Sequence, residues 1–263
     1  MSTATAKDLA ERSFGATLRK DYWWIEPAIT AAVLGAFVVY STWAAWVGEN
    51  YEWGPYLSPF YSPLLLFDWW PLSPALLILV VPLGFRTTCY YYRKAYYRAF
   101  FLDPPACAVG EPRHDYRGER GILIFQNIHR FFLYLAIVFI FILGYDAYLA
   151  LWWPVNGVTA TGQMAPGPLE LGIGVGTLVM VLNVFLLAGY TFGCHSFRHL
   201  VGGNVDCYSC AAFGHLRHQS WKAVSFLNQR HMQWAWTSLI WVALTDLYIR
   251  LAAMGVIHDP RLF

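Results

Sequence analysis

Five long apolar segments, each close to the length of a membrane-spanning helix, occupy much of this chain of 263 residues. A helix needs about 20 predominantly apolar residues to cross the hydrocarbon core of a bilayer. Each segment reaches about this length with no charge or with few charges. The sequence therefore predicts an all-α fold, an integral membrane bundle of five transmembrane helices, at about residues 28–47, 69–92, 131–155, 171–200 and 232–257.

The composition indicates an integral membrane protein rather than a water-soluble one. Hydrophobic residues make up 57% of the chain and charged residues 13%, whereas a soluble domain has about 25% charged residues. The 13 tryptophans are of the residue type that lines the two membrane–water interfaces. The formal net charge of +2 is too small to indicate a nucleic-acid partner. We expect a multi-pass protein of the inner (plasma) membrane, organised as one domain over residues 1–263.

The basic residues predict the orientation of the helices. Sixteen of the 18 Lys and Arg residues fall in the N-terminal segment, in the loop 86–130 and in the loop 195–230. The loops 48–68 and 154–170 contain no Lys or Arg. Because short basic loops stay on the cytoplasmic side, this alternation predicts a cytoplasmic N-terminus and an external C-terminus.

Candidate metal ligands gather on the predicted cytoplasmic side, most densely in residues 193–210. All five cysteines fall on that side, where a reducing cytosol disfavours structural disulfides. If the fourth helix continues through His195 and His199, both imidazoles share one helix face. Cys207 and Cys210 follow at a spacing that can hold one iron or zinc. Two Cys and two His are the ligand types of a Rieske-type [2Fe–2S] centre, although the usual Rieske spacing is absent.

Other interpretations of these residues remain open at the level of sequence. His231 and Cys194 are alternate ligands, and a closed structural zinc site is a competitor of the cluster. Haem b is another, with axial histidines from different spans: His129 paired with His195 or His231. The thiols and imidazoles also suit plain packing or phosphate binding without any metal.

Ionisable residues inside the predicted spans are the second group of candidates. Asp146, Asp246 and Arg250 are costly in a membrane and typically face an interior or a water path. The spacing of Asp246 and Arg250 favours a local ion pair, and their functional interpretation is a proton path from the outer side. A proton or ion transporter is the rival function, although no inverted repeat or pair of broken helices is present.

A quinone pocket is predicted where the fifth span meets the headgroup layer. Its candidate lining residues are Trp221, Arg230, His231 and Trp234. These residues offer aromatic walls and hydrogen-bond donors, as a quinone headgroup requires.

Three segments carry a resemblance to a known family: residues 193–203, 227–236 and 244–250. They resemble the membrane-anchor (cytochrome b-like) subunit of actinobacterial succinate dehydrogenases of the mycobacterial type. The similarity is sharpest from about Tyr190 to Ala252, and over the first three spans it concerns topology and length.

The resemblance implies a membrane anchor of a succinate:menaquinone oxidoreductase, without a catalytic head of its own. Such an anchor docks a flavoprotein and an iron–sulfur subunit at the cytoplasmic face and passes electrons to menaquinone. The mycobacterial type implies a Rieske-type cluster with Cys207 and Cys210 on one iron and His195 and His199 on the other. Some relatives carry haem b instead. A small extra membrane subunit and a higher-order oligomer of the complex are further expected partners, beside the lipid bilayer.

Overall fold

The computed structural model describes residues 14–112, 121–159 and 162–263, with the side chains of all of these except residues 121–124. The chain separates into two compact units. The first comprises Met1–Val39 and Arg86–His129, and the second comprises Tyr40–Phe85 and Arg130–Phe263. The described part is mostly helical, with two small antiparallel two-stranded sheets that the all-α prediction did not include.

The elements follow in chain order as α1 (Ile25–Val47), β1 (Glu52–Trp53), β2 (Tyr56–Leu57), α2 (Ala75–Ile78), α3 (Val80–Thr87), α4 (Tyr90–Ala99), a 3-10 helix (Gly121–Ile128), α5 (His129–Leu149), β3 (Trp152–Pro154), β4 (Leu169–Leu171), α6 (Val175–Phe192), α7 (His195–Arg198), a π-helical turn (His199–Gly203), α8 (Gly214–Asn228) and α9 (His231–Ala253). The strand β1 pairs with β2, and β3 pairs with β4.

Three helical stretches of the described residues are long and apolar enough to cross a membrane: Ile25–Val47, Phe125–Leu149 and Val175–Phe192. They match the first, third and fourth predicted spans. The helix α9 has 23 residues and matches the fifth span in length, but its polar residues make it less apolar than the other three. The structure thus supports a multi-pass membrane protein.

Two predicted spans differ from the observed helices. The second span, 69–92, is divided among three shorter helices, and the first break follows Ile78. Pro82 explains this break, because it has no N–H to donate to the carbonyl of Ile78. The fourth span was expected to continue to residue 200, but α6 ends at Phe192 and Cys194 has an extended backbone with ψ of 142°.

The first unit contains a pairing of two distant segments. The backbone of Gly15 and Ala16 is hydrogen-bonded to Gly110, with N–O distances of 3.0 and 2.9 Å. The Arg19 guanidinium donates to the carbonyl of Cys107 at 2.9 Å and also hydrogen-bonds Asp21. This hydrogen bond lowers the pKa of the Asp21 carboxyl below its ordinary value.

The core of the second unit forms where α5, α6 and α9 meet the strands. Its buried members are Tyr56, Ala147, Ala150, Trp153, Met180 and Ile249. Two hydrogen bonds tie the helices together: Thr177 Oγ1 donates to Ala150 O at 2.9 Å, and Trp241 Nε1 donates to Val179 O at 3.1 Å. In a membrane such bonds satisfy polar groups that lipid cannot.

The chain end is attached to the start of α6 through the buried carboxylate of Asp259. This carboxylate accepts hydrogen bonds from the Gly176 N–H at 2.8 Å, from the Tyr56 hydroxyl at 2.7 Å and from the Tyr248 hydroxyl. A negative charge at a helix N-terminus satisfies free N–H groups and interacts favourably with the helix dipole. Asp259 therefore satisfies a free N–H in the first turn of α6, whose N-cap residue is Gly174.

Candidate functional site

An aromatic cluster joins the last turns of α6 to the first turn of α9. The rings of Tyr190 and His231 are stacked, with centroids 5.0 Å apart and planes 10° apart. Both side chains are buried, at 1% and 3% exposure. Phe85 packs on Tyr190 at a centroid distance of 5.2 Å. This pair places a phenol and an imidazole side by side at the end of the helical seam.

Trp234 lies one helical turn beyond His231 and packs closely against α6. A Cβ atom added at Gly189 would lie 2.7 Å from the indole, so only glycine permits this approach. Phe185 also contacts the Trp234 ring, edge to face, at a centroid distance of 5.8 Å. The indole Nε1 is buried and has no hydrogen-bond partner within the described residues. An indole N–H can only donate, so it can bind a carbonyl oxygen brought by a ligand.

A second aromatic cluster holds α8 against the π-helical turn. The Arg198 guanidinium lies 4.7 Å from the centroid of the Trp221 ring and donates to Ser225 Oγ at 2.8 Å. Gly202 permits the close approach, because a Cβ there would lie 2.6 Å from the carbonyl oxygen of Arg217. Trp221 is thus held by a cation–π contact with Arg198.

The structure separates the four residues predicted to line the quinone pocket into different environments. His231 and Trp234 lie on the same side of α9 and share α6 as a neighbour. Trp221 packs with Arg198, and Arg230 is exposed with its guanidinium 5.6 Å from the ring centroid of Phe226. The sequence analysis missed Tyr190, although its place on the buried stripe of α6 was a usable signal.

The predicted cluster ligands are not assembled in this structure. Cys207 and Cys210 form a disulfide, contrary to the expectation that the cytosolic side disfavours one. The turn that they close, with Cys210 N donating to Cys207 O, brings their Cα atoms to 5.3 Å. His195 and His199 are exposed. The fourth helix ends before them, but one helical turn still joins the two, because the His199 N–H donates to the His195 carbonyl.

The predicted ligands and their alternates do not have the arrangement that a metal ion requires. In the ranges that the structure describes, no three His, Cys, Asp or Glu side chains come together as a group able to hold a metal ion. The alternate ligands are occupied otherwise: Cys194 is buried at the start of α7, and His231 is stacked on Tyr190. His129, named for haem, lies 2.8 Å from Thr88 Oγ1 through its Nδ1 in the first unit.

Asp246 and Arg250 form the ion pair that their spacing predicts, at 2.8 Å between Oδ2 and Nε. Both side chains are buried, at 0% and 2% exposure. The Asp246 carboxylate also accepts hydrogen bonds from the hydroxyls of Tyr40, at 2.6 Å, and Ser58. The guanidinium donates to the carbonyls of Ala44 and Glu49, each at 2.7 Å. Every charge is therefore matched by partners on other segments.

Asp146 occupies a different environment from this ion pair. Its carboxylate accepts a hydrogen bond from Ser62, in the same loop as Ser58, and it lines a cavity of about 900 Å³. The cavity also contains Glu52, whose pKa is raised by burial. Its other notable lining residues are Glu49, Tyr51, Tyr56 and Trp152. One ionisable residue of the predicted proton path thus reaches an open space, whereas the other two are enclosed.

Comparisons with known proteins agree on one family. A family model for actinobacterial succinate dehydrogenase subunit SdhC matches residues 25–255. A chain of the solved Mycobacterium smegmatis Sdh1 complex in the apo form is 39% identical, with a TM-score of 0.79 and 94% of each chain covered. No curated protein sequence gives a significant match.

Proposed function

The chain belongs to the SdhC family of actinobacterial succinate dehydrogenases, and from this premise we propose that it anchors a succinate:menaquinone oxidoreductase in the plasma membrane. It is a subunit of the dehydrogenase complex that does not itself carry the succinate-oxidising head. The flavoprotein and iron–sulfur subunits dock at the basic, cytoplasmic end of the helices. Electrons from succinate then reach menaquinone at this end of the anchor.

Two observations together carry the quinone assignment: the stacked Tyr190–His231 pair, and the unpaired N–H of Trp234 one helical turn further along α9. A quinone headgroup is a planar ring with a carbonyl acceptor at each end. The indole N–H binds one carbonyl oxygen, and the flat aromatic walls exclude water around the ring. Tyr190 and His231 are the neighbouring groups able to supply a proton as the carbonyls become hydroxyls.

Replacement of Trp234 by Phe tests this assignment in the intact complex. The variant keeps a ring against Gly189 but loses one hydrogen-bond donor. We expect the KM for a menaquinone analogue to rise about three- to tenfold, the effect of one neutral hydrogen bond, while kcat changes less. Trp221→Phe is the matched control, because Trp221 lies in the other aromatic cluster. Equal KM values for both variants and the wild type would contradict the assignment.

The redox centre between the soluble subunits and quinone remains a prediction. Among the described residues, the candidate donors do not fit a Rieske-type [2Fe–2S] cluster as they stand, because Cys207 and Cys210 are bonded to each other and the donor atoms are not assembled. A cluster on these residues requires the pair to be reduced. Low-temperature EPR and optical spectra of the dithionite-reduced complex decide the matter. A signal with average g below 2 supports the cluster, and reduced haem bands support haem b.

We propose that protons reach the quinone from the outer side through the intramembrane carboxylates. Asp146 provides the opening, since it lines the outer cavity. Asp246 provides an inner acceptor, and Arg250 holds it in position through the ion pair. Ser62 and Ser58, four residues apart in one loop, each donate a hydrogen bond to one of the two carboxylates, so both carboxylates are held against the same loop. Asp146→Asn is expected to slow quinone reduction while succinate oxidation with a soluble dye continues at the wild-type rate.

A further inference from the structure

Asn183 is a polar residue in the middle of α6 whose side chain is 2% exposed. Its Oδ1 atom is buried and accepts no hydrogen bond from any residue that the structure describes. An unsatisfied buried amide costs free energy comparable to a lost hydrogen bond, and more so where lipid surrounds the helices. Buried polar atoms of this kind are usually satisfied by internal water.

Two contacts bracket the position of Asn183 along the seam between α6 and α9. On one side Phe185 contacts the Trp234 ring, and on the other side Trp241 donates to the carbonyl of Val179. Between the same two contacts on α9 lies Ser238, which is fully buried. Asn183 and Ser238 are therefore at the same level of this helix pair.

Polar residues recur at seven-residue intervals along both helices of the seam. In α6 Asn183 precedes Tyr190 by seven residues, and in α9 the series is His231, Ser238 and Thr245. Seven residues are nearly two turns, so these side chains keep one face with a drift of only about 20°. All of these side chains are buried: Asn183, Tyr190, His231, Ser238 and Thr245. The series ends at Thr245, which immediately precedes Asp246 in the chain, and the Asp246 carboxylate belongs to the ion pair with Arg250.

We propose that Asn183 and Ser238 hold internal water between α6 and α9, and that this water carries protons from Asp246 to the Tyr190–His231 pair. Seven helical residues span about 10.5 Å, which is too long for a direct hydrogen bond and requires bridging water molecules. This inference rests on the proposed function, in which menaquinone is reduced at Tyr190 and His231.

The chemistry that the seam supports is the uptake of two protons by the quinone. The quinone accepts two electrons, which succinate supplies through the soluble subunits, and its two carbonyl oxygens each gain a proton. Tyr190 and His231 donate these protons, and protons moving along the water of the seam restore them. Asn183 is a positioning residue for that water, since its amide does not itself need to change protonation.

The test uses the purified complex with Asn183→Leu, a replacement with the same branching and number of side-chain heavy atoms that removes the amide. Succinate oxidation with a soluble dye is expected to stay at the wild-type rate. Succinate-dependent reduction of a menaquinone analogue is expected to fall about a hundredfold, the low end of what a lost proton-transfer group costs. The solvent deuterium isotope effect on the remaining activity is expected to rise. Leu187→Met, a volume-conserving change on the same helix, is the control.

Asn183→Ser keeps a hydrogen-bonding oxygen and is expected to restore most of the quinone reduction. Wild-type quinone reduction and an unchanged isotope effect in Asn183→Leu would overturn the inference. If Asn183→Leu prevents assembly, the serine variant decides: a hundredfold loss there, in an assembled complex, also overturns it. A wild-type complex that oxidises succinate but reduces no quinone refutes the proposed function instead, so the two failures are distinguishable.

Discussion

The buried Asp246–Arg250 pair makes a quantitative prediction about the stability of the outer end of the anchor. Arg250 donates three hydrogen bonds, to Asp246 and to the carbonyls of Ala44 and Glu49. Its guanidinium also lies 5.4 Å from the ring centroid of Trp43. Replacing either charged residue alone leaves the other charge buried. The double replacement leaves no buried charge at this position.

The magnitudes follow from what each replacement leaves behind. Arg250→Met leaves the Asp246 carboxylate with the hydroxyls of Tyr40 and Ser58 as donors, so we expect a loss of about 3 kcal/mol. Asp246→Leu leaves a buried guanidinium with only carbonyls and rings, so we expect about 5 kcal/mol. The double variant is expected to lose at least about 2 kcal/mol less than the sum of the two.

Thermal unfolding of the purified complex in detergent measures these losses. For a chain of this size 1 kcal/mol corresponds to about 2–4 °C in Tm, so the single variants should unfold about 6–20 °C lower. Arg261→Met is the control, because its ion pair with Glu170 is surface-exposed and should be worth less than about 1 kcal/mol. Strict additivity of the two losses, or single losses as small as that control, would refute the reasoning.

Three further predictions concern other parts of the chain. Asp259→Asn removes the charge that accepts the Gly176 N–H in the first turn of α6 and should lower stability by about 2 kcal/mol, which thermal unfolding measures. Burial raises the pKa of Glu52, so its folded form loses stability as pH rises above about 4.3; Glu52→Gln should be slightly more stable than wild type at pH 7, with the difference vanishing at pH 4. Alkylation of the denatured chain should modify three thiols without reductant and five after reduction, because Cys207 and Cys210 are paired; five thiols without reductant would contradict the disulfide.

The membrane helices could be predicted where length and absence of charge were sufficient evidence. This held for α1, α5 and α6, since an uninterrupted apolar segment has no stable alternative in a bilayer. The second predicted span was wrong as one helix, because Pro82 interrupts the hydrogen-bond ladder while leaving the hydropathy high. Hydropathy alone does not report such a break.

The candidate site could be predicted only in part. The Asp246–Arg250 pair and the neighbourhood of His231 and Trp234 depend on local helical spacing, which sequence shows directly. Tyr190 lies on another helix, and its contact with His231 depends on how α6 packs against α9. A C-x-x-C pair has the same spacing whether it binds metal or forms a disulfide, so sequence could not separate those two outcomes.

The central claim is that this chain anchors a succinate dehydrogenase that delivers electrons to menaquinone. The most direct measurement is purification of the affinity-tagged chain from its native membrane, followed by an assay of succinate-dependent reduction of a menaquinone analogue. We predict that a flavoprotein and an iron–sulfur subunit co-purify and that quinone reduction is lost when the anchor is removed from them. Isolation of the chain without these subunits, or equal quinone reduction by the subunits alone, would contradict the account.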